Sequence, residues 1–437
     1  MGRLGGVPSI SLREALGLLP FRPHAPALAF PLLREANFRS LWCVGGLTEV
    51  SRRLELLALS WLILEATNSP FQLALIWVFN NLPRPILSPF TGIIADRFNR
   101  HQVMVVAQGL NGLTATGILF LLVADAVQPW HVFAATFLQG ATRALEDPSR
   151  RTAIFDVVGE RRLVNAMALE TISNTAGKMV GPILGGVLVG TVGFTWAYVG
   201  AVLVHLLALA LLTRVKIPVY RGPAGGEPVW QSLRVGVKYA WSSPVLVGLL
   251  YVTVVMNALA FPMEQFIPVV GRDHLGVGPA LTGLLLASEG FGRLAAAGIM
   301  AVGPGSRYHG RIFVVGSLLV LVLTVLFAWS PWYGLSFALL TVSGIGQAGF
   351  GTMQSSIVLL TSPPQMRGRM MGLLSVFIGI GNPLGALEIG ALATAFGIQW
   401  AISASALAGL LLMLPAVALT PLVWRPSIQP PPAIVKG

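Results

Sequence analysis

Gly92-Ile93-Ile94-Ala95-Asp96-Arg97-Phe98-Asn99-Arg100 decides the fold, because it is a short polar break in a sequence that is otherwise almost continuous hydrocarbon. Apolar residues fill roughly twenty positions before it, about the length that carries a helix across a bilayer. A second apolar run begins two residues after it. Two helices joined by so short a link are antiparallel neighbours. Gly92 lets their backbones approach closely. Asp96, Arg97 and Arg100 form a compact charge cluster at the membrane face, where they can pair with one another or cap the next helix.

Composition agrees with that reading. The chain has 437 residues, of which 54% are hydrophobic and only 11% charged, with a mean hydropathy of +0.75. A soluble domain carries roughly 25% charged residues, so most of this surface must face lipid. A single cysteine, Cys43, excludes an internal disulfide framework. The net charge of +12 is spread over short loops between apolar runs rather than gathered on one basic face, which argues against a nucleic-acid partner.

Twelve apolar runs of membrane-spanning length can be placed, near 40–65, 71–94, 102–124, 130–148, 166–190, 194–213, 244–269, 280–302, 311–329, 332–358, 370–395 and 399–423. With both termini on one side, the Lys and Arg outside the runs divide 22 to 1, the exception being Arg272. Positive charge marks the cytoplasmic side, so both termini are expected there. Residues 1–36 show no cleavable signal pattern and read as a cytoplasmic tail. Residues 37–213 form a first six-helix bundle. Residues 214–243, rich in Pro and Gly, read as a cytoplasmic linker whose Trp230 to Trp241 has helical spacing. Residues 244–423 form the second bundle and 424–437 a second tail. A shift of 204 residues superposes Gly177, Gly181, Gly186, Gly193 and Trp196 on Gly381, Gly385, Gly390, Gly397 and Trp400, an internal repeat that points to two related halves.

The polar break Gly92–Arg100, a latch between two helices, resembles the signature loop between the second and third helices of the major facilitator superfamily: Gly, three residues, Asp-Arg, two residues, Arg, then a basic residue, here His101. Asn37-Phe38-Arg39-Ser40-Leu41-Trp42 is similar to the membrane entry of exporters in that superfamily. Gly177-Lys178-Met179-Val180-Gly181-Pro182-Ile183-Leu184-Gly185-Gly186 resembles the fifth-helix motif of its antiporters. Physically that stretch is a small-residue face with a proline kink, suited to close packing and bending. The resemblance covers about residues 37–423 and implies an all-α membrane protein of twelve helices in two pseudo-symmetric bundles. It further implies efflux of a small amphipathic molecule, drug-like or siderophore, by alternating access, driven by proton entry across a prokaryotic cytoplasmic membrane. Asp96 and the arginines would hold one face shut in one transport state. An importer of a nutrient or organic anion is the alternative, and a non-transporting receptor or enzyme on the same scaffold a more distant one. A monomer in lipid, working on a small molecule and protons, is expected.

Ionisable residues inside the runs are costly and therefore functional candidates. The first run carries Glu49, Arg52, Arg53 and Glu55. Glu49 can reach Arg52 and Arg53, and Arg52 can reach Glu55, at helical spacing. These form a self-neutralised cluster, or one carboxylate among them exchanges protons or meets a cationic substrate. Related exporters have a Gly-Asp pair about here. This chain has Ser51-Arg52, so that proton site is not carried over. Arg84, deep in the second run, needs a partner, and a carboxylate of the first run is the nearest in sequence. The fourth run ends in Arg143, Glu146, Asp147, Arg150 and Arg151, read either as counter-charge to the latch or as a solvated helix end. Lys178 is expected on a cavity wall. In the second half Glu289 and Arg293 are spaced to pair, Glu264 lies near the end of the seventh run, and Glu388 has no sequence-local partner and is a proton-site candidate. The six histidines lack metal-ligand spacing, and no phosphate-binding loop or catalytic constellation is present in the sequence, so no metal, no cofactor and no enzymatic activity are expected.

Overall fold

A computed structural model describes residues 30–87, 99–159, 162–217, 229–302 and 308–420. Gly92, Asp96 and Arg97 of the latch lie outside the described residues, and so does 218–228 of the linker. Among the described residues the secondary structure is all helix. In order the helices are α1 (Ala36–Thr67), α2 (Pro70–Asn81), α3 (Arg100–Val123) and α4 (Pro129–Val158). Leu163–Leu212 is then broken at Gly193 (φ 85°, ψ 174°) into two limbs, α5 (163–192) and α6 (194–212). The second half contains α7 (Val229–Trp241), α8 (Pro244–Leu259), α9 (Pro279–Val302), α10 (His309–Ala328), α11 (Tyr333–Thr361), α12 (Pro364–Phe396) and α13 (Ile398–Leu419).

Six of these helical stretches are long and apolar enough to cross a membrane by composition alone: Arg100–Val123, Asn165–Leu212, Pro244–His274, His309–Ala328, Met366–Phe396 and Ile398–Ala416. Others dilute their apolar character with charge. Within α1, Glu49, Arg52 and Glu55 are nevertheless at most 6% exposed, because protein rather than lipid surrounds them. Large apolar side chains such as Leu113, Phe120, Leu203 and Leu411 are instead turned outward, the inverse of a water-soluble core and the expected surface of a helix bundle in hydrocarbon.

Helices approach through glycine. A Cβ on Gly177 would stand 2.9 Å from the Glu49 side chain, and one on Gly185 would stand 2.9 Å from the Leu54 carbonyl, so α5 lies directly on α1. Gly381 is as close to Asn257, which lays α12 on α8. Gly186 abuts Pro279 at the start of α9, and Gly390 abuts Phe71 and Ala74 of α2. Each half therefore lends its glycine helix both to its own first helix and to a helix of the other half. The repeat seen in the sequence is a repeat of contacts, and the two corners match too: Gly397 (φ 88°, ψ 158°) breaks α12 from α13 as Gly193 breaks α5 from α6.

The fourth apolar run does not end at Pro148. Proline removes only one helical hydrogen bond, and α4 continues to Val158. Its charge run is thus the wall of a helix, not a solvated end.

Candidate functional site

The charges of α1 and α4 assemble on facing sides. Glu49 accepts from Arg52 at 2.9 Å and from Arg53 at 3.0 Å, as the helical spacing requires. Arg52 also faces Glu146 of α4 at 3.7 Å. It does not pair with Glu55. The buried carboxylate of Glu55 instead receives His205, Ser51 and Gln139. Farther along α4, Asp147 gathers Arg143 at 3.4 Å, Arg150 at 3.9 Å and Arg84 at 3.9 Å. Arg84 therefore finds α4, not α1. Its side chain is 46% exposed, so this pair adds little stability. Arg150 reaches Glu170 of α5 at 3.0 Å, while Arg151 is exposed. Of the Gly92–Arg100 stretch, Asn99 caps α3 by accepting from the His101 backbone, and Arg100 pairs with Asp156 in the last turns of α4. The α4 charges are thus a strut joining α1, α5 and the start of α3.

A cavity lies between the halves. Arg53, Trp77 and Lys178 line it from the first half, and Glu264, Gln265 and Leu286 from the second. Lys178 makes no ion pair among the described residues, and Pro182 of the same helix also borders the space. Glu264 sits on a short 3-10 turn, Phe261–Phe266, which bends the chain after α8 and turns its carboxylate toward the cavity. Arg293 is 3.8 Å from Glu264 and 2.9 Å from Glu289, and it also donates to Gln347. Two buried polar atoms at the cavity wall, Trp77 Nε1 and Gln265 Oε1, lack a partner among the described residues. Groups held ready in this way can bind a ligand that carries both apolar surface and hydrogen-bonding atoms. Glu388 lies elsewhere on α12, half-buried.

One helical turn beyond the cavity-lining Ser60 and Pro268, a bridge joins the halves. Arg272 donates to the carbonyl of Leu64 at 2.6 Å and to the side chain of Asn68 at 2.5 Å, at the C-terminus of α1. Asn68 adopts the left-handed conformation (φ 49°) that closes a helix. The same arginine stands alone in the charge count along the sequence. Of the residues that matter here, sequence reasoning missed His205, Gln108, Gln139, Asp156 and Glu170. A lone histidine within an apolar run, as His205 is, was the available signal.

The transmembrane secretion effector family matches residues 27–426. The chain is 26% identical over 381 residues to the multidrug efflux pump Tap of Mycolicibacterium fortuitum, covering 84% of this chain and 91% of that protein. It is 26% identical over 352 residues to the enterobactin exporter EntS of Shigella flexneri, covering 78% and 81%. Its fold is similar to that of a bacterial homologue of the human lysosomal transporter Spinster in an inward-facing, unoccupied conformation (TM-score 0.68, 15% identity, 90% of this chain and 96% of that one). It is similar also to a POT family transporter in complex with 5-aminolevulinic acid (TM-score 0.70, 12% identity, 89% and 96%). A family match of this extent makes the chain a member of the transmembrane secretion effector family of the major facilitator superfamily, a transporter and not an enzyme.

Proposed function

We propose that the protein exports a small amphipathic molecule, drug-like or siderophore-like, from a bacterial cytoplasm in exchange for protons. It works as a monomer of twelve membrane helices in two bundles, 37–213 and 244–423, joined by the cytoplasmic linker 214–243. Both tails, 1–36 and 424–437, are cytoplasmic. Alternating access rocks one bundle against the other about the cavity between them. The observation that carries this reading is that the cavity takes Lys178 and Trp77 from one half and Glu264 and Gln265 from the other, next to the cross-half bridge of Arg272. Breaking the bridge would open the cavity to the outer face. The α4 strut and the Gly92–Arg100 latch would then hold the cytoplasmic face shut. The names of the relatives favour export over import, and the mixed lining favours an amphipathic cargo.

The test is transport by the reconstituted protein in vesicles with an imposed proton gradient, loaded in turn with dyes and iron chelators. Inverted vesicles distinguish export from import. Gradient-driven movement of one compound in the export direction, abolished by Asp96→Asn, is the expected result. Survival of that movement in Glu388→Gln would exclude Glu388 as the proton carrier. Absence of flux for every compound in both directions would refute the functional reading and leave the family assignment intact.

A further inference from the structure

A second group of buried polar side chains in the first half lies apart from the transport cavity. Thr48, Ser51 and Glu55 of α1, Gln108 and Asn111 of α3, Gln139 of α4 and His205 of α6 are each 6% exposed or less. Six of them are hydrogen-bonded to one another, and Asn111 joins through Thr142, which donates to it at 2.6 Å. His205 Nε2 is 2.7 Å from Glu55 Oε1, which also accepts from Ser51 at 3.0 Å. Gln139 donates to Glu55 Oε2 at 2.7 Å. On the other side of the ring, Gln108 Nε2 is 2.9 Å from His205 Nδ1, and Thr48 donates to Gln108 Oε1 at 3.2 Å.

Each orientation of the Gln108 amide implies its own protonation state. An amide nitrogen only donates, so the Nδ1 it faces is an acceptor and the ring is neutral with its proton on Nε2, aimed at Glu55. The two ends of an amide are nearly the same shape. With Gln108 turned over, its oxygen faces Nδ1 and requires a proton there. Its nitrogen then donates to the Thr48 hydroxyl, which is free to donate to a helix carbonyl one turn back, as threonine does in helices. The histidine becomes an imidazolium paired with the Glu55 carboxylate. The two arrangements differ by one proton, one unit of charge and one bond, the 3.3 Å contact that the Gln108 nitrogen makes to the His205 carbonyl and gives up on turning over.

We propose that Glu55 and His205 are the proton-binding pair of this transporter, with the Gln108 amide as the switch that records occupancy. The inference rests on the proton-coupled reading above and names the site it requires. His205 Nδ1 takes up one proton and Glu55 remains its counter-ion. A cavity of about 10 Å³ bordered by Arg52, Glu55, Asn111 and His205, about the space of a single water, offers the proton a place to enter. The charged or titratable groups near the pair are Arg52 of the same helix, Glu146 of α4 and Tyr198 of α6. The facing residues of α3 are neutral amides. An imidazolium shares the small cavity with Arg52 and repels it. Arg52 holds both Glu49 and Glu146, and Glu49 holds Arg53 at the transport cavity. Proton uptake thus pushes on the contact between α1 and the α4 strut and on a cationic group that meets cargo.

The test uses the full chain in lipid nanodiscs with nitrogen-labelled histidine. His205 is identified among the six histidines by its loss in His205→Gln; should that variant fail to insert, replacing the other five leaves one labelled ring. As the sample is acidified, the His205 signal is expected to pass from the neutral Nε2–H tautomer to the doubly protonated form. Gln108→Glu, which fixes an acceptor opposite Nδ1, is expected to keep the ring doubly protonated throughout. A ring that stays in one form in the wild type, or an unchanged titration in Gln108→Glu, would overturn the proposal. In proteoliposomes, His205→Gln and Glu55→Gln are expected to retain counterflow exchange of cargo and to lose gradient-driven accumulation about tenfold or more, the size of a typical coupling between sites. Gradient-driven accumulation that survives in His205→Gln also overturns it. A wild type indifferent to the gradient refutes proton coupling itself, and the histidine spectra then decide whether the pair binds a proton.

Discussion

On the proposed mechanism, replacing Arg272 by Ala should release the face that its bridge closes. The wild-type side chain makes two charge-assisted hydrogen bonds across the halves, to Leu64 O at 2.6 Å and Asn68 Oδ1 at 2.5 Å. Bonds of this kind contribute about 1.5–3 kcal/mol each when well buried. The Arg272 side chain is 20% exposed and Asn68 is exposed, so water replaces part of each bond. About 1 kcal/mol per bond, or about 2 kcal/mol together, is a fair figure, and it shifts the balance of open and closed outer faces roughly 30-fold. Arg272→Lys, which can satisfy one of the two acceptors at a time, should fall between. The assay is a distance distribution between spin labels at Ala66→Cys and Phe396→Cys, at exposed sites of the two halves, in a Cys43→Ser background. A longer-distance population should grow in Arg272→Ala. A distribution identical to wild type would refute the claim that this bridge holds the face shut, and a shift toward shorter distances would reverse its sign.

Arg52→Ala leaves Glu49 and Glu146 in the interior with one cation fewer, and should lower thermal stability in detergent by about 3–5 kcal/mol equivalent, with partial recovery in Arg52→Met combined with Glu146→Gln. Arg84→Ala breaks a pair that is 46% and 28% exposed and should cost under about 1 kcal/mol by the same measurement. Gly185→Leu drives a side chain into the Leu54 backbone and should cost about 1–3 kcal/mol or block insertion, whereas Gly200→Ala, whose Cβ would meet its nearest neighbour at 3.6 Å, should melt as wild type. Lys178→Gln removes the cavity's unpaired ammonium and should raise KM for anionic dyes more than for cationic ones; equal effects on both would place Lys178 outside the binding path.

Much of the fold can be read from hydropathy, because lipid forces backbone hydrogen bonds into helices and leaves length and charge as the variables. The shared glycines of 177–186 and 381–390 were legible because close helix contact leaves little choice of residue. The extent of α4 was not, since a run of charge around Pro148 reads like an exit from the membrane. In fact Asp147 and Arg150 are held by Arg143, Arg84 and Glu170. Partners across helices were the least legible. Glu49 chose Arg52 and Arg53 as helical spacing predicts, but Glu55 chose His205, 150 positions away, through a fold that spacing along one helix does not describe. Arg84 and Asp147 met for the same reason. Helix rotation decides such pairings, and in helices that are apolar on most faces the sequence carries little record of it.

Gly193 and Gly397 carry a mechanical consequence. At each, one residue in a backbone conformation essentially reserved for glycine does the work of an entire loop. A flexible loop lets the helices it joins slide past each other by its own slack, and here there is none. If α5 shifts along its axis while riding on α1 and α9, α6 must travel with it and carry His205. If α12 shifts against α2 and α8, α13 follows. The two corners tie each helix pair end to end, so a displacement of one helix along its axis is passed to its partner.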